Sequence, residues 1–107
     1  MNVVIPSKID GKKVTSIGEL AFSPDNIRGI SYDKNVIINS VVIPNSVTHI
    51  GDLAFEGNQL DNITISNFSN LEIGFEAFAN NPLNNLPDST REEILNINVW
   101  AFSEPEI

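Results

Sequence analysis

Isoleucine, valine and leucine recur along the chain in short alternating runs separated by polar corners. In Val41-Val42-Ile43 and Ile63-Thr64-Ile65 a period of two turns the outer pair toward one side of a strand and the middle residue toward the other. Each run is too short to be a self-sufficient sheet. The alternation therefore predicts short strands that need neighbours, with Pro6 and Pro44 ending two of them because proline has no N–H to give a ladder, and Ser66 in that place further on.

A second pattern repeats more strictly. The hexapeptide I-x-x-x-A-F occurs at Ile17 to Phe22, Ile50 to Phe55, Ile73 to Phe78 and Ile97 to Phe102. Successive phenylalanines are 33, 23 and 24 residues apart, so the unit is about 23 residues and the first interval holds an insertion, a period typical of stacked repeat proteins. Glycine follows the isoleucine at Gly18, Gly51 and Gly74, with Asn98 in the fourth copy. Both types tolerate positive φ, which predicts a turn at that point. The Gly-x-x-Ala-Phe segment predicts a single helical or 3₁₀ turn, and the four phenylalanines predict one internal aromatic column. Val14, Val47, Leu71 and Ile94 supply a further inward anchor before each turn, and the asparagines at 58, 62, 80, 81, 84 and 85 are placed to cap backbone groups at the corners. Ile27, Ile30 and Tyr32 align with Leu60, Ile63 and Ile65.

The boundaries that follow are a single domain, 1–107, of about four coils: 3–32, an insertion at 33–40, then 41–62, 63–85 and a degenerate or capping repeat at 86–107. Two local departures stand out. Asp10-Gly11 suits the type I′ turn of a hairpin, and residues 88–95 predict a short helix with Asp88 or Ser89 as N-cap and Glu92 and Glu93 in its first turn.

The order L-x-x-I-x-I-P, V-x-x-I-G, A-F in VVIPSKIDGKKVTSIGELAF (3–22) and VVIPNSVTHIGDLAF (41–55) resembles the BspA-type, or treponemal class, leucine-rich repeat. The likeness extends from residue 3 to about 102. It implies a leucine-rich-repeat solenoid, right-handed and β-rich with short parallel strands, found in bacterial surface or secreted proteins as part of long arrays and associated with adhesion and protein binding. It implies no catalytic residue and no cofactor.

Charge narrows the partners. The net charge is −8, which repels nucleic acid and anionic bilayers. Residues 1–51 carry five Lys/Arg against four Asp/Glu, whereas residues 52–107 carry Arg91 alone against ten acids. With no cysteine there is neither a disulfide framework nor a thiolate site. Asn-Val-Val-Ile-Pro follows Met1 directly, so neither a signal peptide nor a membrane span is expected within these residues.

No residue pattern builds an active site. His49, the sole histidine, aligns with Ser16 and Asn96 and reads as a surface residue. Asp52, Glu56, Asp61, Glu72 and Glu76 lack the spacing of a calcium loop, and neither a nucleophile elbow nor a glycine-rich phosphate cradle is present. Asn62-Ile-Thr64 and Asn67-Phe-Ser69 match the glycosylation pattern only as short motifs. Trp100 and Tyr32 read as core or cap residues, which leaves no exposed aromatic platform for a sugar. The expectation is a non-catalytic protein-binding or adhesion module of a bacterial surface or secreted protein, its binding face formed by the outward strand positions Val4, Ser31, Val42 and Thr64. The alternative is a structural spacer within a longer repeat array that has no ligand of its own. The apolar residues 2–6 predict self-association through the N-terminal coil.

Overall fold

The computed structural model describes residues 1–24 and 37–103. Its strands are β1 (Asn2–Val4), β2 (Lys8–Ile9), β3 (Lys12–Lys13), β4 (Ser16–Ile17), β5 (Ser40–Ile43), β6 (His49–Ile50), β7 (Asn62–Ile65) and β8 (Glu72–Ile73), followed by helix α1 (Asp88–Ile97). Two parallel sheets run side by side through the stack, ordered β1-β5-β7 and β4-β6-β8. Each of the first three repeats contributes one strand to both. Val41 lies between Val3 and Ile63, and Ile50 between Ile17 and Ile73, so equivalent residues of neighbouring repeats sit directly over one another.

That stacking is how strands of two to four residues become stable. Ile43, Ile50, Leu60 and Ile63 are almost fully buried, as are Ala54, Phe55, Ala77 and Phe78, and burying each large side chain contributes about 2 to 3 kcal/mol. The phenylalanines form the predicted column. Ring centroids are 5.1 Å apart between Phe22 and Phe55, 5.5 Å between Phe55 and Phe78, and 6.3 Å between Phe78 and Phe102. The two inner rings are buried and the two outer ones half-buried, because an outer ring has a neighbour on one side only.

The Asp10-Gly11 hairpin forms as expected, with β2 and β3 antiparallel and φ of 52° and 78° at its corner. Both proline positions end their strands. Where Ser66 stands instead, its N–H donates to the Ile43 carbonyl at 3.1 Å, extending the contact that Pro44 cannot make.

The turn before each phenylalanine departs from expectation in two ways. Gly18, Gly51 and Gly74 do not carry positive φ; the left-handed residues are Leu20 (59°), Leu53 (58°) and Glu76 (51°), two positions later. A left-handed residue interrupts any helical or 3₁₀ turn, and the segment is instead a pair of overlapping reverse turns. In the first copy Ala21 N–H donates to Gly18 O and Ser23 N–H to Leu20 O, and the same pairs recur around Ala54 and Ala77. Each left-handed non-glycine residue costs about 1 to 2 kcal/mol. Bonds between repeats hold it there: Leu20 N–H donates to Asp52 O, Leu53 N–H to Phe75 O and Glu76 N–H to Trp100 O, at 2.7 to 3.0 Å.

Glycine is required at 51 and 74 for space. A Cβ on Gly51 would lie 2.6 Å from the Glu19 nitrogen, and one on Gly74 2.5 Å from the Asp52 nitrogen. In the fourth copy the backbone N–H of Asn98 closes the helix on Ile94 O, and its side-chain amide donates to Ile73 O at 2.9 Å. That carbonyl is the counterpart of Ile17 O and Ile50 O, which accept from Gly51 and Gly74 N–H. The asparagine side chain thus replaces the glycine backbone.

Helix α1 starts at the predicted residue and runs two residues longer, with Pro87 at the N-cap position and no side-chain cap. Neither Asp88 nor Ser89 is the cap. Asp88 lies in the first turn, where its charge suits the helix dipole, and Glu92 and Glu93 fall beyond it. The helix packs across β7 and β8 and buries Ile94, while the Arg91 guanidinium lies 5.2 Å from the Phe102 ring centre. One end of the aromatic column is thereby covered. At the other end, among the described residues, Ile5, Ile9, Val14, Ile17 and Phe22 line an open apolar cleft of about 220 Å³.

Candidate binding surface

Of the four outward positions predicted to bind, the structure brings three together. Val4, Val42 and Thr64 are register partners across β1, β5 and β7, and they form one row on the face opposite the core. Val4 is 69% exposed, Thr64 exposed and Val42 half-buried. Ser31 lies outside the described residues. Next to this row Ser40 Oγ donates to Asn2 Oδ1 at 2.8 Å, a contact between neighbouring strands that fixes the row's polar margin.

The row is rigid because its underside and its corners are satisfied. Asn58 is buried three residues after Phe55; its Oδ1 accepts from Ile38 N–H, and its Nδ2 donates to the carbonyls of Phe22 and Phe55. Asn81, three residues after Phe78, repeats this one coil on, accepting from Leu60 N–H and donating to the carbonyls of Phe55 and Phe78. Two side chains thus tie successive turns together. The corner asparagines were expected to cap backbone, and the shared A-F-x-x-N spacing in the sequence singles out these two. Asn62 accepts from Ile63 N–H, and Asn80 and Asn85 donate to Glu56 and Asp61.

The second sheet presents Ser16, His49 and Glu72 in register. His49 Nδ1 meets Glu72 Oε2 at 2.7 Å with both side chains mostly in solvent, a surface pair of small energetic weight. The other acids are spread along the turns: Asp52 accepts from Phe75 N–H and Glu56 from Ser23 Oγ. Among the described residues no three His, Asp or Glu side chains converge as a metal site would need.

Trp100 is where the expectation of core or cap packing fails. It is 39% exposed, and it meets Phe75, itself 43% exposed, with ring centres 5.8 Å apart. Trp100 occupies the column of Leu20, Leu53 and Glu76, which the turn points away from the core, while Ala101 and Phe102 after it take the inward places. Phe75 stands in the column of Glu19, Asp52 and Val99, and the change from acidic to apolar residues in its last two copies was its sequence signal. Tyr32 lies outside the described residues. An exposed aromatic pair therefore exists, contrary to the sequence reading.

No helix among the described residues is long and apolar enough to cross a membrane. Residues 26–106 match the model of a family described as the BspA type leucine rich repeat region (6 copies). No curated protein and no solved structure matches the chain.

Proposed function

The chain belongs to the BspA-type leucine-rich repeat family, and from that premise we propose that it is a non-catalytic protein-binding module of a bacterial surface or secreted protein, acting in adhesion. Families of this kind serve protein–protein and surface interactions in general. The observation that carries the reading is the row Val4, Val42 and Thr64, held in register on parallel strands whose other face is core. A sheet fixed this way presents side chains at the strand spacing of about 4.8 Å, so a ligand meets them without an ordering cost. Within this reading the two sheets belong to a right-handed solenoid, a single domain of about four coils with the boundaries given above.

Immobilised extracellular-matrix proteins should retain the wild-type chain, and Thr64→Arg or Val42→Lys should abolish retention while leaving the circular dichroism spectrum unchanged. Background retention of the folded wild type on every such surface would count against binding by the row.

One observation favours a second reading, a spacer in a longer array. Among the described residues nothing lies within 4 Å of a Cβ built on Gly18, whereas Gly51 and Gly74 are covered by the preceding repeat. The uncovered face has the shape to receive another repeat. Failure of all binding assays together with stable stacking onto an added upstream repeat would support this second reading over the first.

A further inference from the structure

The double turn of each repeat sets two side chains on the outer rim: Glu19 and Leu20, Asp52 and Leu53, Phe75 and Glu76, Val99 and Trp100. Backbone bonds between Leu20 and Asp52, Leu53 and Phe75, and Glu76 and Trp100 keep these pairs aligned. The rim therefore interleaves carboxylates with apolar groups. Toward one end it becomes aromatic, with Phe75 and Trp100 in contact and Val99 54% exposed beside them. Adjacent aromatic rings left open to water, together with Val99, form an apolar patch of the sort that marks an interaction site.

Charge decides what would cover it. Three of the four pairs carry an acid, and none carries a Lys or Arg. Among the described residues the one ion pair is His49–Glu72, on the neighbouring sheet row. An apolar partner with acidic residues would bring like charges together at the rim. A cationic side chain is attracted both by the ring faces and by the carboxylates beside them. Sugar stacking is a poorer fit, since the two rings are inclined by 38° and share no flat platform.

We propose that this rim is a docking surface for a basic, amphipathic segment of a partner protein. Its Arg or Lys side chains lie over Phe75 and Trp100 and against Glu76 and Asp52, and its intervening apolar residues meet Leu53 and Val99. The inference rests on the reading of the chain as a protein-binding module, but it uses a surface separate from the Val4, Val42 and Thr64 row.

Trp100 is the only tryptophan of the chain, so its emission reports on the rim directly. The full chain is titrated with a synthetic peptide alternating Arg and Leu, and separately with one alternating Glu and Leu. The Arg peptide should change the emission saturably, and the Glu peptide should not. Phe75→Ser and Glu76→Gln, both at partly exposed sites, should each weaken the Arg peptide's binding about tenfold, the loss expected when a hot-spot contact is removed; Thr64→Ala should bind as wild type. The proposal is overturned by an absent or non-saturable response, by equal response to the Glu peptide, by binding that ignores both rim variants, or by saturation with a neutral oligosaccharide in place of the peptide. Binding lost in Thr64→Ala alone would move the site to the sheet row and would also overturn it. Failure of matrix-protein retention with the rim titration intact would count against the sheet row and leave the rim proposal standing.

Discussion

Gly18, Gly51 and Gly74 hold one position in three successive repeats, yet their surroundings differ. At 51 and 74 the backbone of the preceding repeat passes so close that a methyl group would strike it, while at 18 no described residue comes within 4 Å of the added carbon. None of the three has the positive φ that only glycine adopts freely. Gly18→Ala should therefore be neutral or stabilise the fold by about 0.4 to 1 kcal/mol through the unfolded chain's lost freedom. Gly51→Ala should destabilise by about 1 to 3 kcal/mol, since the stack must open to admit the methyl. Urea unfolding of the two variants beside wild type gives the comparison, and equal effects at both positions would refute the close-approach account. The glycine column was plain in the sequence. Its cause was not, because spacing between backbones of different repeats has no local signature.

At the scale of the element, the asparagine bridges set how firmly one turn grips the next. Asn58 is buried and satisfies three backbone groups drawn from three segments of the chain. Replacing it by Ala leaves Ile38 N–H without its acceptor and the Phe22 carbonyl without its donor, while the Phe55 carbonyl keeps the Asn81 amide, and an unsatisfied buried group costs about 1 to 3 kcal/mol. Asn58→Ala should lose at least about 2 kcal/mol on that basis, by thermal or denaturant unfolding. Asn85→Ala, at an exposed corner, should stay within about 0.5 kcal/mol of wild type. A loss of similar size at both positions would show that burial does not set the strength of these bridges. Helix α1 belongs to the same scale. Its presence from residue 88 was legible, but its cap was not, since Pro87 occupies the place that a capping side chain was expected to fill.

For the whole molecule, the two ends of the stack differ. Helix α1 and Arg91 cover the Phe102 end; among the described residues the Phe22 end presents an open apolar cleft beside strand β1, which pairs there with β5 alone. An unpaired strand edge over apolar surface invites another chain. The isolated chain should therefore self-associate with rising concentration, as light scattering would register, and Val4→Lys, which sets a charge on the edge strand, should return it to monomer. A wild type that stays monomeric up to about millimolar concentration, far above what most stable interfaces need, would exclude self-pairing at this end. The lysines of the adjacent hairpin, Lys8, Lys12 and Lys13, add a positive rim that the acidic half of a second copy would complement.

The sequence by itself determined the repeat, the identity of the inward residues and the phenylalanine column, because a stacked unit must bury the same side chains each time it recurs and so writes its core into the chain as a period. It also determined that Val4, Val42 and Thr64 point away from the core, since a period of two fixes the face of every strand residue. Tertiary structure alone decided that these three form a row, because register is a relation between strands. It likewise decided where the left-handed residues fall in the turn, which glycines are crowded, and how the Asn98 side chain reaches the carbonyl that a glycine N–H reaches in earlier repeats. Trp100 shows the reason most directly. Composition and an inward neighbour favoured burial, but whether a side chain at the end of a stack is covered depends on what lies across the turn. Across that turn stands Phe75, itself at the surface.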